Sequence, residues 1–139
     1  MLALEHRKDF ILGGHSIFTV TNPTGEYYTY RVTSIEDKDK RIRYFVGLLT
    51  GPDNTSDYTY LGALNSLEGT VVLTNASKYT KESKPYRVVN WLVGLIWAGK
   101  ELPAGYTMRH IGRCAACGRP LTTPESLVSG FGPICREKI

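Results

Sequence analysis

All three cysteines of this chain lie in its final stretch, at Cys114, Cys117 and Cys135, with His110 just ahead of them. A structural zinc ion takes four thiolate or imidazole ligands at tetrahedral corners, and two cysteines separated by two residues reach one ion from a single tight turn. Gly118, directly after the second cysteine, suits that turn. A set of this kind obliges the chain to double back between Cys117 and Cys135. An odd number of cysteines leaves no complete disulfide framework, so metal or a free thiol is expected instead.

The segment between the second and third cysteines reads as a short helix. Thr123 stands at its N-cap, Pro124 at its first position, Glu125 in its first turn and Gly130 at its stop. Gly132-Pro133 then redirects the chain so that Cys135 returns to the knuckle. Leu121, Leu127 and Phe131 supply a core too small to be stable alone, so the metal is expected to provide most of the local folding energy. His110 is the expected fourth ligand; His6, His15, Glu137 and water remain open alternatives. The competing reading treats the cysteines as small buried hydrophobes, which leaves the knuckle spacing without a reason. A catalytic zinc of the deaminase type pairs His-x-Glu with Pro-Cys-x-x-Cys. Here no glutamate sits two residues after His110 and no proline precedes Cys114. A structural zinc is therefore expected.

Upstream, alternation of apolar and polar residues predicts strands. Ser16–Thr21 is followed by the turn Asn22-Pro23-Thr24-Gly25, then Tyr27–Ile35, the charged tip Glu36–Lys40 and a third strand over Arg41–Thr50. Shorter strands are predicted at Tyr58–Leu61, Gly69–Thr74 and Tyr106–Ile111. In the second strand Tyr28, Tyr30 and Val32 share one face, and Thr29, Arg31 and Thr33 the other. In the third, Ile42, Tyr44, Val46 and Leu48 are expected to face the core, with Arg41, Arg43 and Phe45 outward. A short helix from Leu4 to Leu12 ends at Gly13-Gly14. The main helix follows Ser83 as N-cap and stops at Gly99, with Val88, Trp91, Leu92, Leu95 and Ile96 at helical spacing and Tyr86, Val89, Val93 and Trp97 widening the apolar stripe. The expected fold is α+β: an antiparallel sheet of about five strands, one main packed helix and a C-terminal zinc knuckle. Residues 1–104 are read as the α+β domain and 105–139 as the zinc-binding element.

No export signal is expected, because Met1-Leu2-Ala3-Leu4 meets charged residues at once. The most apolar stretch, Val88–Ala98, is broken by Asn90 and is too short to span a bilayer. A cytoplasmic location without membrane contact is expected. The net charge of +4 permits contact with nucleic acid without demanding it. Basic side chains gather around the knuckle at Arg113, Arg119, Arg136 and Lys138, where they suit phosphates or merely form a solvated face. Arg31, Arg41 and Arg43 with Phe45 form a second basic and aromatic group, suited to single-stranded nucleic acid by stacking plus charge. The polar segment Leu49–Gly62 contributes Asp53, Asn54, Asp57, Tyr58 and Tyr60 as a candidate ligand or partner loop. The bland alternative is a loop whose Asx side chains satisfy its own backbone.

The tail His110-Ile-Gly-Arg-Cys114-Ala-Ala-Cys117-Gly-Arg119-Pro-Leu-Thr-Thr-Pro124-Glu-Ser-Leu-Val-Ser-Gly130-Phe-Gly-Pro-Ile-Cys135 resembles a family of small phage and prophage proteins of unassigned function. Their shared tail reads roughly HxGRCxxCGRxLTxPESxxxGxGPxC. The resemblance extends to Phe18-Thr19-Val20, Tyr28–Val32 and Leu49–Gly62, and is weakest over Lys78–Lys100. It implies a phage-derived origin and a zinc site at His110, Cys114, Cys117 and Cys135. Ala115-Ala116 departs from the family, which usually carries charged residues or glycine there. The expected function is binding, with a host nucleoprotein complex such as a CRISPR effector, or DNA or RNA, as the partner; this is an argument by analogy. An enzyme acting on nucleotides or nucleic acid through Asp53, Asp57 and Tyr58 is the alternative. A structural adaptor in phage assembly is a third reading.

Overall fold

The computed structural model describes residues 6–53, 56–111, 113–118 and 129–130. Their elements run α1 (Arg7–Ile11), β1 (His15–Thr21), β2 (Tyr27–Glu36), β3 (Ile42–Leu49), β4 (Tyr58–Asn65), β5 (Thr70–Val72), α2 (Lys84–Trp97) and β6 (Thr107–His110). All six strands join one sheet in the order β5-β4-β3-β2-β1-β6, every neighbouring pair antiparallel. The fold is α+β, and the sheet has six strands rather than about five.

The turns are made by the residues that favour them. Between β1 and β2, the Asn22 carboxamide oxygen accepts the Thr24 and Glu26 amides at 3.0 and 2.9 Å. Gly25 takes φ +90° there, a conformation that costs a residue with a Cβ. At the next tip the Asp37 carboxylate accepts the Asp39 and Arg41 amides. β3 and β4 carry a register shift between Val46 and Gly47. A Cβ at Gly47 would lie 3.1 Å from the Tyr58 Cβ, so this close strand crossing favours glycine.

One face of the sheet holds the core. Phe18, Val20, Tyr30, Val32, Val46, Leu48, Leu64, Val71 and Met108 are buried there, and α2 adds Val89, Leu92, Val93 and Ile96. Full burial of each such aliphatic chain is worth about 1.5–3 kcal/mol. The buried line of α2 is therefore rotated from the expected one: Val88, Trp91 and Leu95 are only half-buried. The apolar stripe is wide enough to seat in more than one way, and the half-buried Trp91 meets the Tyr106 ring at 5.1 Å, tilted by 57°. Ile42 is another departure. It was expected in the core, yet it is 58% exposed because it pairs with Glu36 at the far end of β2 and β3.

Ser83 is the N-cap residue of α2, but its hydroxyl makes no bond to the helix. It accepts the Thr80 amide at 2.9 Å instead. Gly99 ends the helix region with φ +70°, as expected of a left-handed stop. Polar atoms on the core side are bonded: the Tyr30 hydroxyl donates to the Pro85 carbonyl at 2.7 Å, and burial pushes its phenol well above the ordinary range. The short α1 also packs on the core face. Phe10 meets Phe18 edge-on, and Lys8 lies over the Trp97 ring at 5.2 Å. Among the described residues, no helix is long and apolar enough to cross a membrane.

Candidate functional site

The cysteine-bearing segment is continuous with the sheet. β6 pairs with β1, placing His110 opposite Phe18. The His110 ring lies 5.7 Å from the Phe10 ring, tilted by 33°, so α1 and β1 fix the imidazole from two sides. The chain then turns through Cys114–Cys117. The Cys114 sulfur accepts the Ala116 amide at 3.4 Å, and its carbonyl accepts the Gly118 amide at 2.9 Å. Gly118 has φ +78°. Cys114 is buried while Cys117 is exposed. A thiolate is the form of cysteine that binds metal.

Ala115 seats this turn on the rest of the protein. It is fully buried, its carbonyl accepts the His15 amide at 2.6 Å, and its own amide donates to the Gly130 carbonyl at 2.8 Å. The departure Ala115-Ala116 thus places a small side chain where space is short. Gly130, expected as a helix stop, has φ +78°. Cys135, Arg119, Arg136 and Lys138 lie outside the described residues, as does most of the expected helix over 123–130. Among the described residues, no three histidine, cysteine or carboxylate side chains form a metal-holding group. Of the other ligand candidates, His15 is exposed on β1 and His6 is half-buried before α1; Glu137 lies outside the described residues. Arg113 is exposed and donates from Nη1 to the Gly118 carbonyl at 3.1 Å.

The polar loop is built around Asp57. Its Oδ2 accepts the Asp53 amide at 2.8 Å, its amide donates to the Asp53 carbonyl at 3.0 Å, and its carbonyl accepts the Thr50 amide at 2.9 Å. A Cβ on Gly51 would lie 2.6 Å from Asp57 Oδ2. This carboxylate folds the loop, as the bland reading expected. Asn54 lies outside the described residues. Tyr58 and Tyr60 stand in β4, where a strand was expected over Tyr58–Leu61, and the Tyr60 hydroxyl bonds the Thr74 hydroxyl at 3.1 Å.

Strand register brings several remaining candidates onto the sheet face opposite the core. Arg31 stands between Ile17 and Gly47, and its guanidinium carbon lies 4.5 Å above the Tyr58 ring. Phe45 and Tyr60 meet at 6.1 Å. Arg43 shares this face, and its Nε pairs with Asp37 at 3.2 Å. Arg41 lies just before β3, exposed, with its amide bound to Asp37. Burial raises the Tyr58 phenol; Arg31 opposes that shift and Asp53 adds to it. Arg109, opposite Thr19 on β6, joins the same face. It counted only as charge in the sequence, although alternation along Tyr106–Ile111 carries the signal.

The described residues thus define an α+β protein with a helix-covered face, a helix-free face and a Cys114–Cys117 turn bonded to the start of β1. Residues 107–139 match a family described as a family of unknown function (DUF6011). That stretch spans β6 and all but the first two residues of the expected zinc element. No curated protein and no solved structure matches the chain.

Proposed function

We propose that this chain is a zinc-clasped binding protein, encoded by a phage or mobile element, that acts by contact rather than by catalysis. The ion is structural, held by Cys114, Cys117 and Cys135 with His110 as the fourth ligand. The observation that carries this reading is the turn at Cys114: an amide donates to its sulfur, and a left-handed glycine follows Cys117. Thiolate and imidazole donors at this spacing suit zinc in a closed tetrahedral site. The partner is nucleic acid or a host nucleoprotein complex, and inhibition of a CRISPR effector is one form such binding takes.

Two observations favour binding over the enzyme reading. Asp57 spends its carboxylate on the loop backbone, and no cysteine or histidine stands in that loop to complete a nucleophilic set. Metal analysis of the purified protein tests the first half of the proposal. About one zinc per chain is expected, falling away in Cys114→Ser; unchanged metal content in that variant overturns the site. Affinity capture from host lysate, with and without nuclease, tests the second half. Activity on nucleotides that disappears in Asp53→Ala or Asp57→Ala would establish the enzyme reading instead.

A further inference from the structure

We propose that the helix-free face of the sheet is a platform for single-stranded nucleic acid, with Phe45, Tyr58 and Tyr60 stacking bases and Arg31, Arg43 and Arg109 holding phosphates. The proposal rests on the reading of the chain as a binding protein, and not on its metal.

The first support is placement. Both described helices pack on the core face, so neither lies over these six side chains; Arg43 and Arg109 are exposed, and Arg31, Phe45, Tyr58 and Tyr60 are half-buried. Tyr58 and Tyr60 stand two residues apart on one strand, about 7 Å along it, which matches the separation of successive bases in an extended strand. Phe45 stands beside Tyr60 on the neighbouring strand. Arg109 lies four strand positions from β4 in the sheet order, roughly 19 Å across at the usual strand spacing. A strand of several nucleotides fits that span.

The second support is charge complementarity. None of the strand residues that register places on this face is Asp or Glu; the acidic groups at its margin are Asp37, beside Arg43, and Asp53, whose charge reaches Tyr58, both outside the strands. The guanidinium of Arg31 on the Tyr58 ring forms a flat cationic surface, the kind on which bases stack and to which phosphates bond. Arg43 meets Asp37 through Nε alone and is 67% exposed, so its Nη groups can take a phosphate. The Asp37 carboxylate is meanwhile held by backbone amides of its own turn.

Other occupants fit less well. A duplex is read by an element that enters a groove, and this face is a flat sheet. A protein partner favours a contiguous apolar patch. The large apolar residues exposed here, Tyr27, Ile35 and Val72, stand at the two ends of β2 and on β5. Stacking rings set among arginines are what sequence-tolerant single-strand binding uses.

Fluorescence anisotropy with labelled oligo-dT and oligo-U, and with a duplex of equal length, tests the proposal on the full zinc-loaded chain. Single strands are expected to bind at low salt and more tightly than the duplex, and the two oligomers distinguish DNA from RNA. The double variant Arg31→Gln/Arg109→Gln is expected to lower the slope of log affinity on log salt by about 1.4, from two phosphate contacts at about 0.7 each. Tyr60→Ala is expected to lose roughly fivefold to a hundredfold in affinity, the worth of one stacked base. Lys81→Gln/Lys100→Gln, which removes two charges away from this face, is the control. Circular dichroism and metal content establish that each variant is folded; Tyr60→Leu, which keeps bulk without the phenol, stands in if Tyr60→Ala is not. Absence of single-strand binding by the folded wild type overturns the platform, as does equal affinity for duplex or an equal loss in the lysine control. If single strands fail to bind while lysate capture returns a nuclease-resistant protein complex, the platform is wrong and the binding-protein reading stands. If both fail, the binding-protein reading falls too.

Discussion

Gly13 and Ala115 are in such close contact that neither tolerates a larger neighbour. A Cβ on Gly13 would lie 2.7 Å from the Ala115 Cβ and 2.9 Å from its carbonyl oxygen. That same carbonyl accepts the His15 amide, so the knuckle is seated where α1 passes into β1. Gly13→Ala is expected to destabilise the protein by about 1–3 kcal/mol through overpacking. Ala115→Lys is expected to act in the same direction. Chemical denaturation measures both. An unchanged midpoint for both would mean that the knuckle is not seated on this junction.

Removal of the proposed zinc is expected to loosen this seat before the sheet. Ala115 has its amide on Gly130 and its carbonyl on His15, while Val32 and Val46 lie in central strands. With a strong chelator, hydrogen exchange at His15 and Ala115 is expected to quicken by roughly tenfold or more, with little change at Val32 and Val46. Uniform protection across all four amides after metal removal would separate the knuckle's stability from the ion.

Local signals in the sequence carried most of this architecture. Alternation located the strands within a residue or two, except that β4 runs four residues past the expected Leu61 to Asn65, and Asn22 to Gly25 marked the first turn. Alternation also put Arg31 and Phe45 on the face away from the core. Long-range relationships were not legible in the same way. Pairing of β6 with β1 leaves no local trace, so the docking of the cysteine segment on the sheet edge was invisible. The breadth of the apolar stripe on α2 hid which line of residues would be buried. Alternation predicts a strand at Tyr58–Leu61 but not its register, because the shift opposite Gly47 that sets Tyr58 and Tyr60 beside Arg31 and Phe45 leaves no local trace. At the knuckle, the spacing and Gly118 were legible; the fit of Ala115 against Gly13 was not, since the two lie far apart in the chain.

Asn90 interrupts the apolar pattern of α2 for a reason that only the tertiary structure supplies. Its side-chain oxygen accepts the Val71 amide at 2.8 Å, and the Tyr86 hydroxyl donates to the Val71 carbonyl at 2.8 Å. Two helix side chains thus occupy backbone groups at the β5 edge, the kind of edge that folded proteins cover. Asn90→Leu would leave the Val71 amide without this acceptor and is expected to cost about 1–3 kcal/mol. Asn90→Asp keeps an acceptor and should cost less. Equal thermal midpoints for Asn90→Leu and wild type would show that water satisfies the amide.

Acid sensitivity is expected at the Arg7–Glu101 pair. Arg7 is 5% exposed and donates to the carboxylate of Glu101, which is largely open to solvent. The Arg7 hydrogen bond, followed by that of the Leu102 amide, holds the Glu101 carboxyl below its ordinary value of 4.5. A depressed carboxyl contributes stability that is present above its unfolded pKa and is lost as pH falls through the lower folded value. The contribution is small because solvent screens an exposed carboxylate, about 1 kcal/mol or less. Glu101→Gln should therefore be slightly less stable than wild type at neutral pH, with the difference closing as both are acidified below the folded value. Asp37, lowered chiefly by the Arg41 amide, and Glu26, lowered chiefly by Asn22, add to the acid loss in both proteins and leave the difference unaffected. Thermal midpoints of the two proteins across this range measure it; an offset that stays constant down to the lowest pH would mean that the pair contributes through packing of Arg7 and not through the charge of Glu101.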